Sequence, residues 1–142
     1  YERMKDYKNA DKDLLLSLKL NPDQPYVLNY LAYSWLERKI KISQSMEMLL
    51  KAYEQKSEDP YIIDSVGWAY YLTEDYLLAE KYLKNALLII PDDPIMNDHY
   101  GDVLWKLNMK LQASYYWNAA LLSGETDENL KKTINKKLLF GL

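Results

Sequence analysis

Apolar and small residues recur along this chain at helical spacing, and the whole pattern then repeats over a longer interval. Within residues 60–93, Val66, Gly67, Tyr70, Ala79, Leu83 and Ala86 carry it. Residues 94–127 answer with Tyr100, Gly101, Leu104, Ala113, Trp117 and Ala120, each 34 positions further on. Asp64 and Asp98 keep the same interval. A period of this length points to stacked helix pairs rather than one closed globule. The pattern predicts eight helices, over residues 3–20, 25–38, 43–56, 60–72, 76–89, 94–107, 110–123 and 127–140. The apolar run Leu87 to Pro91 could form a strand in isolation, but it closes a helical period and is expected to be helical.

Residue sizes fit such pairs. Gly67 and Gly101 fall where two antiparallel helices cross most closely, with Ala79, Ala86, Ala113 and Ala120 on the second helix of each pair. Tyr70, Leu83 and Trp117 are large enough to fill the gaps between these small residues. Trp35, Tyr70 and Trp117 are assigned to the core. Pro22 and Pro91 stop a helix because proline donates no backbone hydrogen bond. Pro25 and Pro94 suit a first helical turn, where that donor is not needed.

The residues at these offsets resemble the tetratricopeptide repeat. The middle unit supplies Ile63, Val66, Gly67, Tyr70, Ala79, Leu83, Ala86 and Pro91. The last supplies Asn97, Tyr100, Gly101, Leu104, Ala113, Trp117 and Ala120, with Glu125 in place of the closing proline. Residues 25–59 give Leu28, Leu31, Ala32, Trp35, Ser45, Leu49, Ala52 and Ser57, provided that one additional residue sits in the turn near Lys41. Asp6, Tyr7, Ala10, Leu14 and Pro22 fit the second half of a repeat. The resemblance implies an all-α fold, a right-handed α-solenoid of stacked antiparallel helix pairs. It divides the chain into a half repeat at 1–24, repeats at 25–59, 60–93 and 94–127, and a C-terminal capping helix at 128–142. The half repeat suggests a segment of a longer, bacterial-type solenoid. Without its first helix it would bare Leu14, Leu15 and Leu18, a route to self-association.

Composition narrows the function. Apolar residues make up 49% of the 142 positions, enough for a continuous core. Three and a half repeats exceed the roughly three that a stack needs. No apolar run approaches the ~20 residues that cross a membrane. The net charge of −3 argues against a nucleic-acid partner. Cysteine is absent, which removes disulfides and thiolate zinc sites and leaves the compartment undecided. The tail carries Lys131, Lys132, Lys136 and Lys137, and Leu130, Ile134 and Leu138 recur at helical spacing, as in a solvating cap helix.

The resemblance also implies a concave groove lined by the first helix of each repeat. The candidate partner-binding residues are then Tyr26, Asn29 and Tyr33, followed by Tyr61, Asp64, Trp68 and Tyr71, and then Asp98, Asp102 and Trp105. The same repeat positions also hold Leu36, Glu37, Leu72, Ile95 and Lys106. This surface is aromatic with an acidic bias. Some family members grip a carboxylate with basic groove residues, and Asp64, Trp68, Asp98 and Asp102 stand where those would be needed. No such clamp is expected, and a basic or apolar protein segment is the expected ligand.

Catalytic chemistry finds little support. There is no Gly-rich phosphate loop, nucleophile motif or metal-ligand spacing, and no cofactor or metal is expected. Ser65 follows Asp64 with no base in register. His99, the only histidine, stands between Asp98 and Asp102, and is expected to pack or hydrogen-bond between helices. Asp92 and Asp93 are expected in a solvated turn. The expected function is a non-enzymatic protein-binding scaffold. The alternatives are a structural or self-associating solenoid segment, and an accessory domain attached to an enzyme.

Overall fold

A computed structural model describes the backbone of residues 2–142 and the side chains from Asp6 onward. Among these residues there are eight α-helices and no strand. They are α1 (Glu2–Leu20), α2 (Pro25–Glu37), α3 (Ile42–Gln55), α4 (Pro60–Leu72), α5 (Tyr76–Ile89), α6 (Pro94–Lys106), α7 (Lys110–Leu122) and α8 (Glu128–Phe140). Every helix end lies close to its expected place.

The helix starts have local causes. Proline opens α2, α4 and α6. Asp59 caps α4 by accepting from the Tyr61 and Ile62 amides, and Asp93 caps α6 by accepting from the Met96 amide. Asp75 and Asp127 do the same for α5 and α8. Such caps satisfy amide groups that have no partner within the helix.

The turns inside the helix pairs are short and left-handed. Glu74 and Asn108 both have φ 64°, at equivalent places after α4 and α6. The turn after α2 is one residue longer, spanning 38–41, and carries two left-handed residues, Lys39 (φ 56°) and Lys41 (φ 47°).

Helices pack as consecutive antiparallel pairs, α2 with α3, α4 with α5 and α6 with α7, and each pair then packs on the next. The close approach within a pair is set by glycine. A Cβ on Gly67 would stand 2.8 Å from Leu83 Cγ, and one on Gly101 would fall onto the Trp117 indole. Ala79, Ala86, Ala113 and Ala120 are fully buried. The core runs along the stack, with Tyr53, Tyr70 and Tyr82 in edge and face contact between α3, α4 and α5. Trp35 and Trp117 are buried as expected, whereas Tyr70 is only half-buried. On α1, Leu14 and Leu18 face inward, and Leu15, Leu16 and Leu20 are exposed. Ile134 anchors α8 in the core, and α8 packs on α7. No helix among the described residues is long and apolar enough to cross a membrane.

Candidate functional site

The first helices of the three pairs, α2, α4 and α6, lie side by side, and their shared face is the candidate site. It divides into a sealed section and an open one.

The sealed section belongs to α4, α6 and α8. His99 Nδ1 lies 3.1 Å from Asp64 Oδ1, and both residues are buried. The His99 ring stacks on Trp68 at 4.0 Å, and Trp68 stacks on Tyr71 at 4.5 Å. Its other nitrogen, Nε2, is 3.5 Å from the Tyr33 hydroxyl. Burial opposes the charged imidazolium, but the Asp64 carboxylate and its hydrogen bond, aided by Asp98 and Asp102, outweigh it and raise the His99 pKa. When protonated, the ring donates to Asp64 on one side and to Tyr33 on the other. Burial, and then the carboxylates Asp64 and Glu37, hold the Tyr33 phenol neutral.

One helix further, Lys137 of α8 sits between two carboxylates. Its Nζ donates to Asp98 Oδ1 at 2.8 Å and to Asp102 Oδ1 at 2.9 Å. Trp117 Nε1 donates to the same Asp102 oxygen at 2.9 Å. Burial disfavours the ammonium, and the two carboxylates more than offset it, so the Lys137 pKa is raised. Burial and the like charge of Asp98 push the Asp102 carboxyl up, against the pull of Lys137. Beyond this cluster, Gly141 (φ 74°) packs so closely on Trp105 that a Cβ there would enter the indole ring.

The open section is a cavity of about 670 Å³ between α1 and the inner faces of α2 and α4, reaching the start of α6. Tyr7, Ala10 and Leu14 of α1 form one wall, and Asn29, Tyr30, Tyr33 and Glu37 of α2 form another. Tyr61, Asp64 and Ser65 of α4, with Asp93, Ile95 and Met96, complete it. Among the described residues, the charged side chains lining it are all acidic: Asp6, Glu37, Asp64 and Asp93. Asn29 Oδ1 is buried without a hydrogen-bond partner among the described residues.

The ten candidate residues thus separate. Asn29, Tyr33, Tyr61 and Asp64 line the cavity, and Tyr26 is exposed outside it. Trp68, Tyr71 and Trp105 are half-buried in ring stacks, while Asp98 and Asp102 are buried and paired with Lys137. Of the residues at the same repeat positions, Leu36 is buried in the core, and Glu37 and Ile95 reach the cavity. Asp93 is more than a turn residue, since it caps α6 and lines the cavity. Sequence reasoning passed over Tyr7 and Tyr30 as wall residues, and over Lys137 as an inner-face cation. The signal available for Tyr30 was its place beside Asn29, and for Lys137 its helical phase relative to Ile134; Tyr7 had none.

Among the described residues, no group of three His, Asp or Glu side chains is arranged to hold a metal ion. Ser65 Oγ donates to the Tyr61 carbonyl oxygen at 3.0 Å, so its hydroxyl proton is engaged away from His99.

No protein-family model matches the chain. Over 101 residues it is 34% identical to the TPR repeat-containing protein PA4667 of Pseudomonas aeruginosa, a match that covers 71% of this chain. It belongs to the tetratricopeptide-repeat (TPR) proteins. The match spans 17% of the length of that relative. The solved structure of MamA from Desulfovibrio magneticus RS-1 superposes with a TM-score of 0.71 at 16% identity, covering 89% of this chain and 71% of that one. TTC0263, a thermophilic TPR protein of Thermus thermophilus, superposes with a TM-score of 0.65 at 18% identity, covering 98% and 94% of the two chains. The cavity lies on the face shared by α2 and α4 and reaches the start of α6.

Proposed function

We propose that this TPR segment is a non-enzymatic protein-interaction scaffold whose concave face holds a segment of a partner protein. The observation that carries the reading is the cavity of about 670 Å³ at the α1–α2–α4 end, with its tyrosine walls and acidic rim. Tyrosine supplies wide, rigid contact area at low entropic cost. Exposed Tyr26 and Tyr61 extend this surface beyond the recess. Trp68, Tyr71, Asp98, Asp102 and Trp105 then act as the packed floor that fixes helix spacing and shapes the groove. A basic or apolar segment suits the lining, and a carboxylate-terminated ligand does not, because acids would face acids.

Selection of a random peptide library on the purified protein tests this. Enrichment of basic or apolar peptides, lost with a folded Tyr30→Ala, Tyr61→Ala variant, would support the reading. Enrichment of peptides with acidic C-termini, insensitive to that variant, would overturn it.

Exposure of Leu15, Leu16 and Leu20 on α1 favours a second reading, self-association through that helix. Light-scattering mass across a concentration series decides it. A dimer abolished by Leu16→Lys supports it, and a monomer at every concentration removes it.

A further inference from the structure

Each of the three inner helices carries a rung with an acceptor at one repeat position, Asn29, Asp64 and Asp98, and only the Asn29 rung lacks a donor from the next helix among the described residues. In the middle repeat, Asp64 pairs with the imidazole of His99 on the next inner helix, and Trp68 lies flat against that ring. In the last repeat, Asp98 takes a cation from the next helix, Lys137 of α8. In the first repeat the place of Asp64 is held by Asn29, and that of Trp68 by Tyr33. The residue on α4 that stands where His99 stands on α6 is Ser65, 34 positions earlier. Ser65 is neutral, and its hydroxyl is bound to its own helix. The rung therefore keeps an acceptor, Asn29 Oδ1, without a donor among the described residues. It keeps an aromatic ring, Tyr33, and the Glu37 carboxylate beside it. The recess lies at this rung.

We propose that the first rung is completed by an arginine side chain of the bound segment, which takes the place His99 takes one repeat later. This rests on the groove reading above and names what the groove selects. Charge complementarity commits the occupant to a cation, since no basic residue lines the recess among the described residues. Ring geometry commits it to a planar one. A guanidinium lies flat on tyrosine and offers five donors in a fork, one of them for the Asn29 carbonyl, while the Glu37 carboxylate two helical turns further along α2 supplies charge complementarity. The chain uses the same chemistry at the rim: the Arg38 guanidinium carbon sits 4.4 Å over the Tyr7 ring, and its Nη2 lies 2.8 and 2.9 Å from the two oxygens of Asp11. A recess of about 670 Å³ is larger than one side chain. Ala10, Leu14, Ile95 and Met96 make the remaining wall apolar, so the segment carries an aliphatic residue next to its arginine.

The test is an NMR titration of the labelled protein with acetyl-Ala-Leu-Arg-Leu-Ala-amide and its lysine, citrulline and norleucine counterparts. Citrulline keeps the shape of arginine and removes the charge. The expected result is shift changes at Asn29, Tyr30, Tyr33, Glu37 and Ser65 and along the apolar wall at Ala10, Leu14, Ile95 and Met96, with the arginine peptide bound about tenfold more tightly than the citrulline one. Glu37→Gln, an exposed and conservative change, is expected to erase most of that preference. Equal binding of the arginine, citrulline and norleucine peptides at these residues would overturn the arginine assignment and leave the groove reading standing. A lysine peptide bound as tightly as the arginine one would also overturn it. No shift with any peptide at millimolar concentration would overturn both.

Discussion

The two halves of the face shared by α2, α4 and α6 are built from the same residue types and end in opposite states. At the α4–α6–α8 half, Asp64, Asp98 and Asp102 are buried and paired with His99 and Lys137. At the α1–α2–α4 half, neither Glu37 nor Asp93 has a cation partner among the described residues, and a recess remains. The difference arises from what the neighbouring helix offers: Asp64 and Asp98 meet His99 and Lys137, whereas for Asn29, at the equivalent repeat position, the α4 residue 34 positions before His99 is the neutral Ser65. A repeat position therefore specifies where a side chain stands but leaves its protonation and exposure to the next repeat. The sealed half is expected to govern stability, and the open half binding.

That division can be broken most severely at Trp117. It is fully buried, fills the space left by Gly101 and donates to Asp102. Trp117→Ala is expected to cost about 3–5 kcal/mol, read as a fall in the thermal midpoint. Lys137→Met should come close behind, at about 3 kcal/mol, because it leaves two carboxylates buried without a cation. Adding Asp98→Asn and Asp102→Asn should restore much of that loss in denaturant titration. If the triple variant is as weak as the single one, the charge account of the sealed half is wrong. Gly101→Ala, which drives a methyl group into the indole, is expected to cost about 1–3 kcal/mol in the same assay.

A gentler probe is pH. His99 is more basic in the folded chain than the ~6.5 of an unfolded histidine. Its contribution is fully present below that unfolded value and is lost as pH rises through the raised folded value. Lys137 adds a second decline, beginning above the ~10.4 of an unfolded lysine. Chemical denaturation from pH 6 to 8 should show stability falling, and His99→Gln should flatten the slope. The smallest stability effect belongs to the open half. Tyr61→Ala alters an exposed ring and should shift stability by no more than about 0.5 kcal/mol while weakening any groove ligand.

Much of the architecture was legible because short-range chemistry dictates it. Proline at helix starts and the Gly67–Leu83 and Gly101–Trp117 complementarity are written in local spacing, whereas the Asp93 cap was passed over as a turn residue. The extra residue of the first repeat falls in the turn at Lys41, where a left-handed backbone absorbs it. His99 bridges two helices, as its helical phase implied. Side-chain state was less legible. Lys137 reads as one solvated lysine among four, because its partners lie 35 and 39 residues away. The role of α1 as a cavity wall was hidden for a related reason. A half repeat has no period of its own from which to read its inner face.

The turn lengths and cross-helix pairs together give the stack a graded stiffness. Ion pairs tie α4 to α6 and α6 to α8, whereas the rung at Asn29 has no such tie among the described residues. The solenoid is then comparable to a leaf spring clamped at its C-terminal end and loose at the other. Bending concentrates where the clamp is missing, so a ligand seated at that rung would tighten the one joint still able to flex.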